Sequence, residues 1–339
     1  MITNLQFYQG TKNDPYENLA LESFFLQNNP PDTCICYLWQ NQKTVVIGKN
    51  QNAWRECSVE LLESEGGRLA RRLSGGGAVF HDLGNLNFTF IAPLADYSVS
   101  RQLDVICRAV EQFGLGIQKS GRNDLLANGR KFSGNAFQKS RRCGCHHGTL
   151  LVDTDLAQMS RYLTASAEKL QSKGVSSVKS RVVNLKDLCP SITIERLSQA
   201  ILYAFGQVYG LSVQSIPKTE IDWERVRKKA DVLSSWQWRY GKDIPFSFEL
   251  SHRFFWGEIL LRFVVNSGRT VKVQVFSDAM DTDFIERIPV LLQDLPVSFS
   301  AFAEALSPLA EKPQYASMVI DLQRFLKSSS QIKQGDEIR

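Results

Sequence analysis

Between residues 14 and 29 the apolar positions Leu19, Leu21, Phe24, Phe25 and Leu26 recur at helical spacing. Ahead of them Asp14 supplies a cap, Pro15 fits the first helical position and Glu17 completes a capping-box pattern, so a helix opens there. CICYLW (34–39) and TVVIG (44–48) are short β-rich runs joined by a polar connector, which predicts a strand pair. Ser58 to Glu65 reads as a helix stopped by Gly66–Gly67. A strand at ARRL (70–73), a glycine run and an apolar stretch from Leu86 to Ile91 follow. Residues 100–113 are helical in period, residues 117–152 hold short strand-like runs broken by Gly and Asn, and residues 155–204 are mostly helical. Strands and helices interleave without regular βαβ spacing, so the expected fold class is α+β with a mixed sheet.

A boundary is expected in RYGKDIPFS, near 240–248. Beyond it the pattern predicts a strand, an Asn-Ser-Gly turn, a strand and a helix, then a helix from Val319 to Lys327 and a loose polar tail. This divides the chain into domains at 1–243 and 249–339, and 339 residues suit about two domains. With 43% hydrophobic residues the core needs no disulfide staples. The seven cysteines are odd in number and scattered, which suits a reducing, cytoplasmic setting. The N-terminus lacks a signal-peptide pattern, and no apolar window approaches the roughly 20 residues of a membrane span. Forty basic against 35 acidic residues give +5, too weak to imply nucleic acid but suited to an anionic small molecule.

Four segments carry candidate chemistry. In Arg71-Arg72-Leu73-Ser74-Gly75-Gly76-Gly77-Ala78-Val79-Phe80-His81-Asp82, three glycines let backbone N–H groups approach an anion, and two arginines add forked donors. A plain hairpin turn with solvated arginines is the alternative. In Gly121-Arg122-Asn123-Asp124 and Asn128-Gly129-Arg130-Lys131-Phe132-Ser133, the Asn-Gly turn places Lys131 early on a returning strand, with Asp124 on the strand before it. Lys131 suits a phosphate or carboxylate oxygen, and Asp124 a divalent cation. Cys143-Gly144-Cys145-His146-His147 invites a metal reading, yet ligands this close mostly point apart on a strand, which favours a buried strand. Residues 172–181, small, polar and basic, suit a loop that closes on an anion.

Together RRLSGGGAVFHDLGNLNFTF, GRNDLL…NGRKFSGNAF, HHGTLLVD and SKGVSSVKSRVVNL resemble the bacterial lipoate–protein ligases, from about Asn13 to WQWRYGK…RFFWGEILLRF. The resemblance implies a catalytic domain similar to biotin ligases and class II aminoacyl-tRNA synthetases, plus a small α+β C-terminal accessory domain. It implies that ATP and Mg²⁺ convert lipoate to lipoyl-AMP, and that lipoyl then passes to a lysine of lipoyl domains, those of 2-oxoacid dehydrogenase E2 subunits and of glycine cleavage H protein. On this resemblance Lys131 is the catalytic residue, touching carboxylate and α-phosphate. Arg72, Gly77, Ala78, Val79, Phe80, Asp124, Lys179 and Arg181 bind the nucleotide, and Ser74, Gly75, Gly76 and His81 bind lipoate. Asp124 is the expected Mg²⁺ ligand, and Asn123 supports it. Val46, Phe80 and Phe137 are expected to offer an apolar slot for the dithiolane tail. Where some relatives carry a basic residue after the aromatic at 137, this chain has Gln138, with Lys139 or Arg141 as substitutes.

The expectation is thus a cytoplasmic, monomeric ligase with no nucleic-acid or membrane partner. Its rivals are a lipoyltransferase fed with preformed lipoyl-AMP, an amidotransferase working through Cys143 or Cys145, and a binding module built on RRL (71–73), KSRR (139–142) and ERVRKK (224–229).

Overall fold

A computed structural model of the chain describes residues 1–121, 123–164, 182–241 and 247–332. They group into two compact units. The first comprises Met1–Ile47, Ala53–Leu73 and Ala78–Gly241, and the second Gly48–Asn52, Ser74–Gly77 and Lys242–Arg339. Two short pieces of the N-terminal sequence, one of them the whole glycine run, therefore group with the C-terminal residues.

The first unit is built on an eight-stranded sheet. Its strands are β1 (Asn4–Gln9), β2 (Thr33–Trp39), β6 (Asn85–Pro93), β7 (Ile117–Ser120), β8 (Asp124–Ala127), β9 (Arg130–Lys139), β10 (Cys143–Leu151) and β11 (Val213–Ser215). Their order is β11-β1-β2-β6-β10-β9-β8-β7. β1 runs parallel to both neighbours and the other pairings are antiparallel. The mixed α+β class expected from the pattern is the class observed.

Every residue of β2, β6 and β10 is buried, so the period of two sorts side chains between two covered faces. On one face Cys34, Cys36, Leu38, Leu86, Phe88, Phe90, Leu125 and Phe132 join Val105, Ile106, Leu197, Ile201 and Phe205 from the helices Val99–Glu111 and Ile194–Tyr209. On the other, Ile35, Tyr37, Trp39, Ile91, Cys143 and Cys145 meet the helices Pro15–Asn28 and Trp223–Ser234.

Helix Pro15–Asn28 starts as its sequence requires, with Asp14 Oδ1 accepting from the N–H groups of Tyr16 (2.9 Å) and Glu17 (3.1 Å). Its buried set, however, includes Asn18 and Glu22 beside Leu19, Leu21 and Phe25. A helix that buries polar groups must supply each with a partner, and these two recur below.

The expected pairing of 34–39 with 44–48 is corrected. β3 (Thr44–Ile47) lies in a separate three-stranded sheet between β4 (Arg68–Arg71) and β5 (Val79–His81), while β2 lies between β1 and β6. Each run is an interior strand of its own sheet, so neither has a free edge for the other. Burial on both faces is also why neither run shows a polar side.

In the second unit β12 (Phe248–Phe254), β13 (Gly257–Asn266) and β14 (Arg269–Ser277) form an antiparallel sheet. The Asn-Ser-Gly turn is present, with Ser267 and Gly268 at φ of 51° and 72°. β12 is a strand beyond the two expected. Phe263, Phe284, Phe302 and Leu322 centre the unit's core. No helix among the described residues is long and apolar enough to cross a membrane.

Phe205 is fully buried and packs on Phe90 with ring centroids 5.6 Å apart. Phe205→Ala is expected to cost about 3–5 kcal/mol, read from urea unfolding, because the cavity opens between helix Ile194–Tyr209 and β6.

Candidate active site

β8 and β9 form a hairpin through Asn128 and Gly129, at φ of 50° and 73°. Both values lie in the left-handed region that an Asn-Gly turn supplies cheaply. The register sets Lys131 opposite Leu126 and Asp124 opposite Gly134. Lys131 Nζ reaches Asp124 Oδ1 at 2.7 Å, with both side chains largely buried. It does so by lying across Gly134, where a Cβ would come within 2.8 Å of Nζ. The backbone beneath is fixed as well. Asn123 Nδ2 donates to Asn135 O (2.8 Å), and Asn135 Nδ2 returns a bond to Asn123 O (3.0 Å). Lys131 O also accepts from Val183 N (2.9 Å). Asn123 thus acts through the backbone that carries Asp124.

The polar face continues from this hairpin. Thr149 Oγ1 accepts from Gly134 N (3.3 Å), and Thr149, His147 and Cys145 alternate along β10 opposite Asn87, Thr89 and Ile91 of β6. Glu22 Oε2, 1% exposed, accepts from Thr89 Oγ1 (2.8 Å) and pairs with His147 Nδ1 (2.7 Å). Trp39 Nε1 donates to Thr89 Oγ1 (3.1 Å). Asn85 Nδ2 donates to Asn87 Oδ1 (3.0 Å), while Asn85 Oδ1, Asn87 Nδ2 and His81 Nε2 are buried with no hydrogen-bond partner among the described residues. Each buried polar atom left in this state calls for a bound group or a water to complete it.

Arg72 is buried, donates from Nη1 to Val46 O (3.2 Å), and has its pKa lowered to about 10 by burial, against the pull of Glu22 and Glu56. It therefore stays cationic at neutral pH. His81 is lowered to about 3 by burial, with Arg72 and His147 adding to the effect, so its ring is neutral. Arg72, His81, Glu22 and His147 thus form one electrostatic group, and Lys131 with Asp124 a second.

Several expectations are corrected. Arg71 is not poised for a ligand: its Nε donates to Trp238 O (2.9 Å) and its Nη2 to Arg239 O (2.7 Å), binding helix Trp236–Tyr240 to β4. Val46, Phe80 and Phe137 do not converge on one slot. Val46 packs under helix Pro15–Asn28, Phe80 against Tyr162 (5.6 Å) and Phe137 against His146 (5.0 Å). Lys139 is exposed opposite Gly144 while Gln138 lies opposite Cys145, so alternation turns Lys139 to the other face and it cannot replace Gln138. Arg141 is exposed.

The remaining positions are placed as follows. Gly77, Ala78 and Val79 are half-buried ahead of the buried Phe80. Ser74, Gly75 and Gly76 are buried in the second unit, where Gly76, at φ 92°, donates from N–H to Ala279 O (3.3 Å). A Cβ on Gly75 would stand 2.3 Å from that carbonyl. Lys179 and Arg181 lie outside the described residues.

The Cys-His segment divides as a strand must. His146 turns to the apolar face, between Gln102 (3.1 Å) and Asn135 (2.9 Å), and burial lowers its pKa to about 3. Cys145 and His147 share the polar face, where Glu22 brings the three ligand atoms within 4.8 Å of one another. That donor set suits a borderline divalent ion, although Glu22 and His147 already satisfy each other. Burial raises the Cys145 thiol well above its usual range and raises Cys143 too, so both stay protonated. Glu22, Trp39, Thr89 and Asn87 were missed in the sequence. The available signal was the alternation of Asn and Thr with Phe in NLNFTF.

The fold and this face define an α+β domain with paired cationic groups and unfilled hydrogen bonds on one side of a mixed sheet. The chain belongs to the lipoyl protein ligase A/B family, whose catalytic domain matches residues 14–206, and the bacterial lipoate protein ligase C-terminus matches residues 243–327. Among solved structures, P. falciparum LipL1 in complex with lipoate is 28% identical, with a TM-score of 0.80 over 95% of this chain and 98% of that one. A bi-partite lipoate protein ligase from T. acidophilum, described with its E2 lipoyl domain, is 25% identical, with a TM-score of 0.62 over 73% and 100%. A lipoate-protein ligase A bound with ATP is 23% identical, with a TM-score of 0.62 over 71% and 99%, and shares the fold.

The two low histidine values make a stability prediction. Below about pH 6.5 the unfolded chain protonates histidines that the native fold keeps neutral down to about pH 3. Stability is therefore fully present above pH 6.5 and falls as pH drops towards 3, by about 1.4 kcal/mol per pH unit for each ring. His146→Gln, which cannot charge, is expected to remove about that much of the slope between pH 4 and 6 in a series of urea titrations.

Proposed function

We propose that the protein activates lipoate with ATP and transfers the lipoyl group to a lysine of an acceptor lipoyl domain. The observation that carries this reading is the half-buried Lys131 ammonium, held across Gly134 by Asp124. In the first step a lipoate carboxylate oxygen attacks the α-phosphorus, the bond to the β-phosphate oxygen breaks, and pyrophosphate leaves. In the second the neutral acceptor lysine amine attacks the lipoyl carbonyl, an amide forms as the nitrogen gives up a proton to solvent, and AMP leaves with the electron pair of the broken bond. The first step brings two negative groups together, and the second develops negative charge on the carbonyl oxygen and the leaving phosphate, so a fixed cation at the junction lowers both barriers.

Lys131 is assigned to that junction, bridging carboxylate and α-phosphate. Arg72 neutralises phosphate, and the stretch Gly77, Ala78, Val79 and Phe80 lies along the nucleotide. Ser74, Gly75, Gly76 and His81 serve the acyl side, and Lys179 and Arg181 close over the adenylate. Asp124 supplies a hard oxygen suited to Mg²⁺, which would screen the phosphate charge. The acceptors proposed are lipoyl domains of 2-oxoacid dehydrogenase E2 subunits and H protein. A thioester route is disfavoured, because burial holds the thiols of Cys143 and Cys145 in the unreactive form.

The decisive measurement is lipoate-dependent pyrophosphate release from ATP and Mg²⁺ without acceptor protein. Wild type is expected to release it, and Lys131→Ala to lose at least about a hundredfold in rate, the usual worth of one electrostatic stabiliser. Absence of release with transfer from synthetic lipoyl-AMP intact would make the protein a lipoyltransferase instead. Loss of transfer in Cys145→Ala or Cys143→Ala would favour the thioester route. Gly134→Ala is expected to leave the unfolding midpoint nearly unchanged, because only a flexible lysine tip must move, yet to lower the rate of pyrophosphate release by about tenfold or more.

A further inference from the structure

We propose that Asn18 and Asn41 are positioning residues that fix His81 as a hydrogen-bond donor at Nε2, and that this donor takes an acceptor atom of the acyl substrate. The polarity of the chain follows from its anchors. Asn18 Nδ2 donates to the main-chain carbonyls of Lys12 (3.1 Å) and Gln40 (2.8 Å), and a carbonyl can only accept. This orients the Asn18 amide, whose Oδ1 accepts from Tyr37 Oη (2.9 Å). The two hydrogens of Asn18 Nδ2 are shared among three acceptors, the third being Asn41 Oδ1 at 2.9 Å, since an Asn41 amide nitrogen in that place would set donor against donor. The Asn41 amide nitrogen is thereby turned to His81 Nδ1, 3.1 Å away. An N–H facing Nδ1 requires Nδ1 to accept, so a neutral ring carries its proton on Nε2.

Every member of this chain is buried: Asn18 is 1% exposed, Tyr37 and Asn41 0%, and His81 3%. Burial also keeps the ring neutral, and the charged group Arg72 and the ring of His147 act in the same direction. Nothing among the described residues accepts from Nε2. The ring stands edge-on to Trp39 at 5.9 Å, and Trp39 pairs across the sheet with Asn87, whose Nδ2 is likewise without a partner. Two buried donors beside one indole call for a ligand with acceptor atoms and an apolar body, such as a carboxylic acid on a hydrocarbon chain. The assignment of that ligand rests on the reading given under Proposed function; the assignment of the proton does not.

The chain has four histidines, so ¹⁵N ring spectra of the free protein resolve each. His81 is expected as a neutral Nε2–H ring from pH 8 to pH 5. An Nδ1–H ring or an imidazolium in that range would overturn the proposal. At pH 8, Asn41→Asp presents only oxygen to Nδ1 and is expected to move the proton there, with the KM for lipoate rising roughly tenfold, the worth of one buried hydrogen bond. His81→Gln, whose amide N–H stands near the Nε2 position, should raise KM less than His81→Asn, whose amide does not reach it. Equal effects of the two, or a proton shift in Asn41→Asp with no change in KM, would sink the substrate half of the proposal. If wild type releases no pyrophosphate, the reading of the reaction fails while the spectra still decide the tautomer.

Discussion

Burying polar groups on one face of a fully covered sheet is the constraint on which the rest of this structure depends. The strands β2, β6 and β10 have no solvated side, so each Asn, Thr and His on the inner polar face must be matched or left at a cost of about 1–3 kcal/mol. Most are matched, and the helix Pro15–Asn28 supplies the partners. Glu22 serves Thr89 and His147, and Asn18 serves Tyr37 and Asn41. Among the described residues, atoms left unmatched on or beside this face include those of Asn85, Asn87, Gln138 and His81. Stability and the proposed ligand recognition therefore draw on one set of hydrogen bonds, and the helix is as much a part of the proposed site as the strands are.

The charged groups obey the same economy. A half-buried lysine and a buried arginine are costly unless compensated. Lys131 is compensated by a carboxylate on the adjacent strand, with a glycine keeping the path open. Arg72 is compensated more diffusely, by Glu22, Glu56 and a main-chain carbonyl. Its neighbour Arg71 shows how little sequence adjacency says about role: one residue away, alternation turns it to a helix terminus that it secures.

Much of this was legible in the residues. The Asn-Gly turn, Lys131 beyond it and Asp124 before it carry local geometry in their spacing, and the structure reproduces it. The capped start at Asp14 is equally local. What escaped was non-local. β2 and β3 look like a hairpin because their connector is short, yet each is buried between other strands, and nothing in CICYLW names its neighbours. Glu22 and Asn18 were hidden among helical apolar residues, since a polar side chain on a buried face declares itself only when its partner, far along the chain, is known. The spread of Val46, Phe80 and Phe137 over separate clusters has the same origin.

The turn that delivers Lys131 has a chemical lifetime. Asn128 is exposed, precedes glycine and is held in the left-handed region. An asparagine followed by an unhindered glycine nitrogen is the sequence most prone to cyclise to a succinimide and reopen as isoaspartate. That rearrangement routes the backbone through the side chain and adds a methylene to the main chain two residues before the hairpin's return strand. The loop most suited to aiming the lysine is thus also the place where an ageing molecule would lose its aim, with no change in the amino acids that touch the substrate.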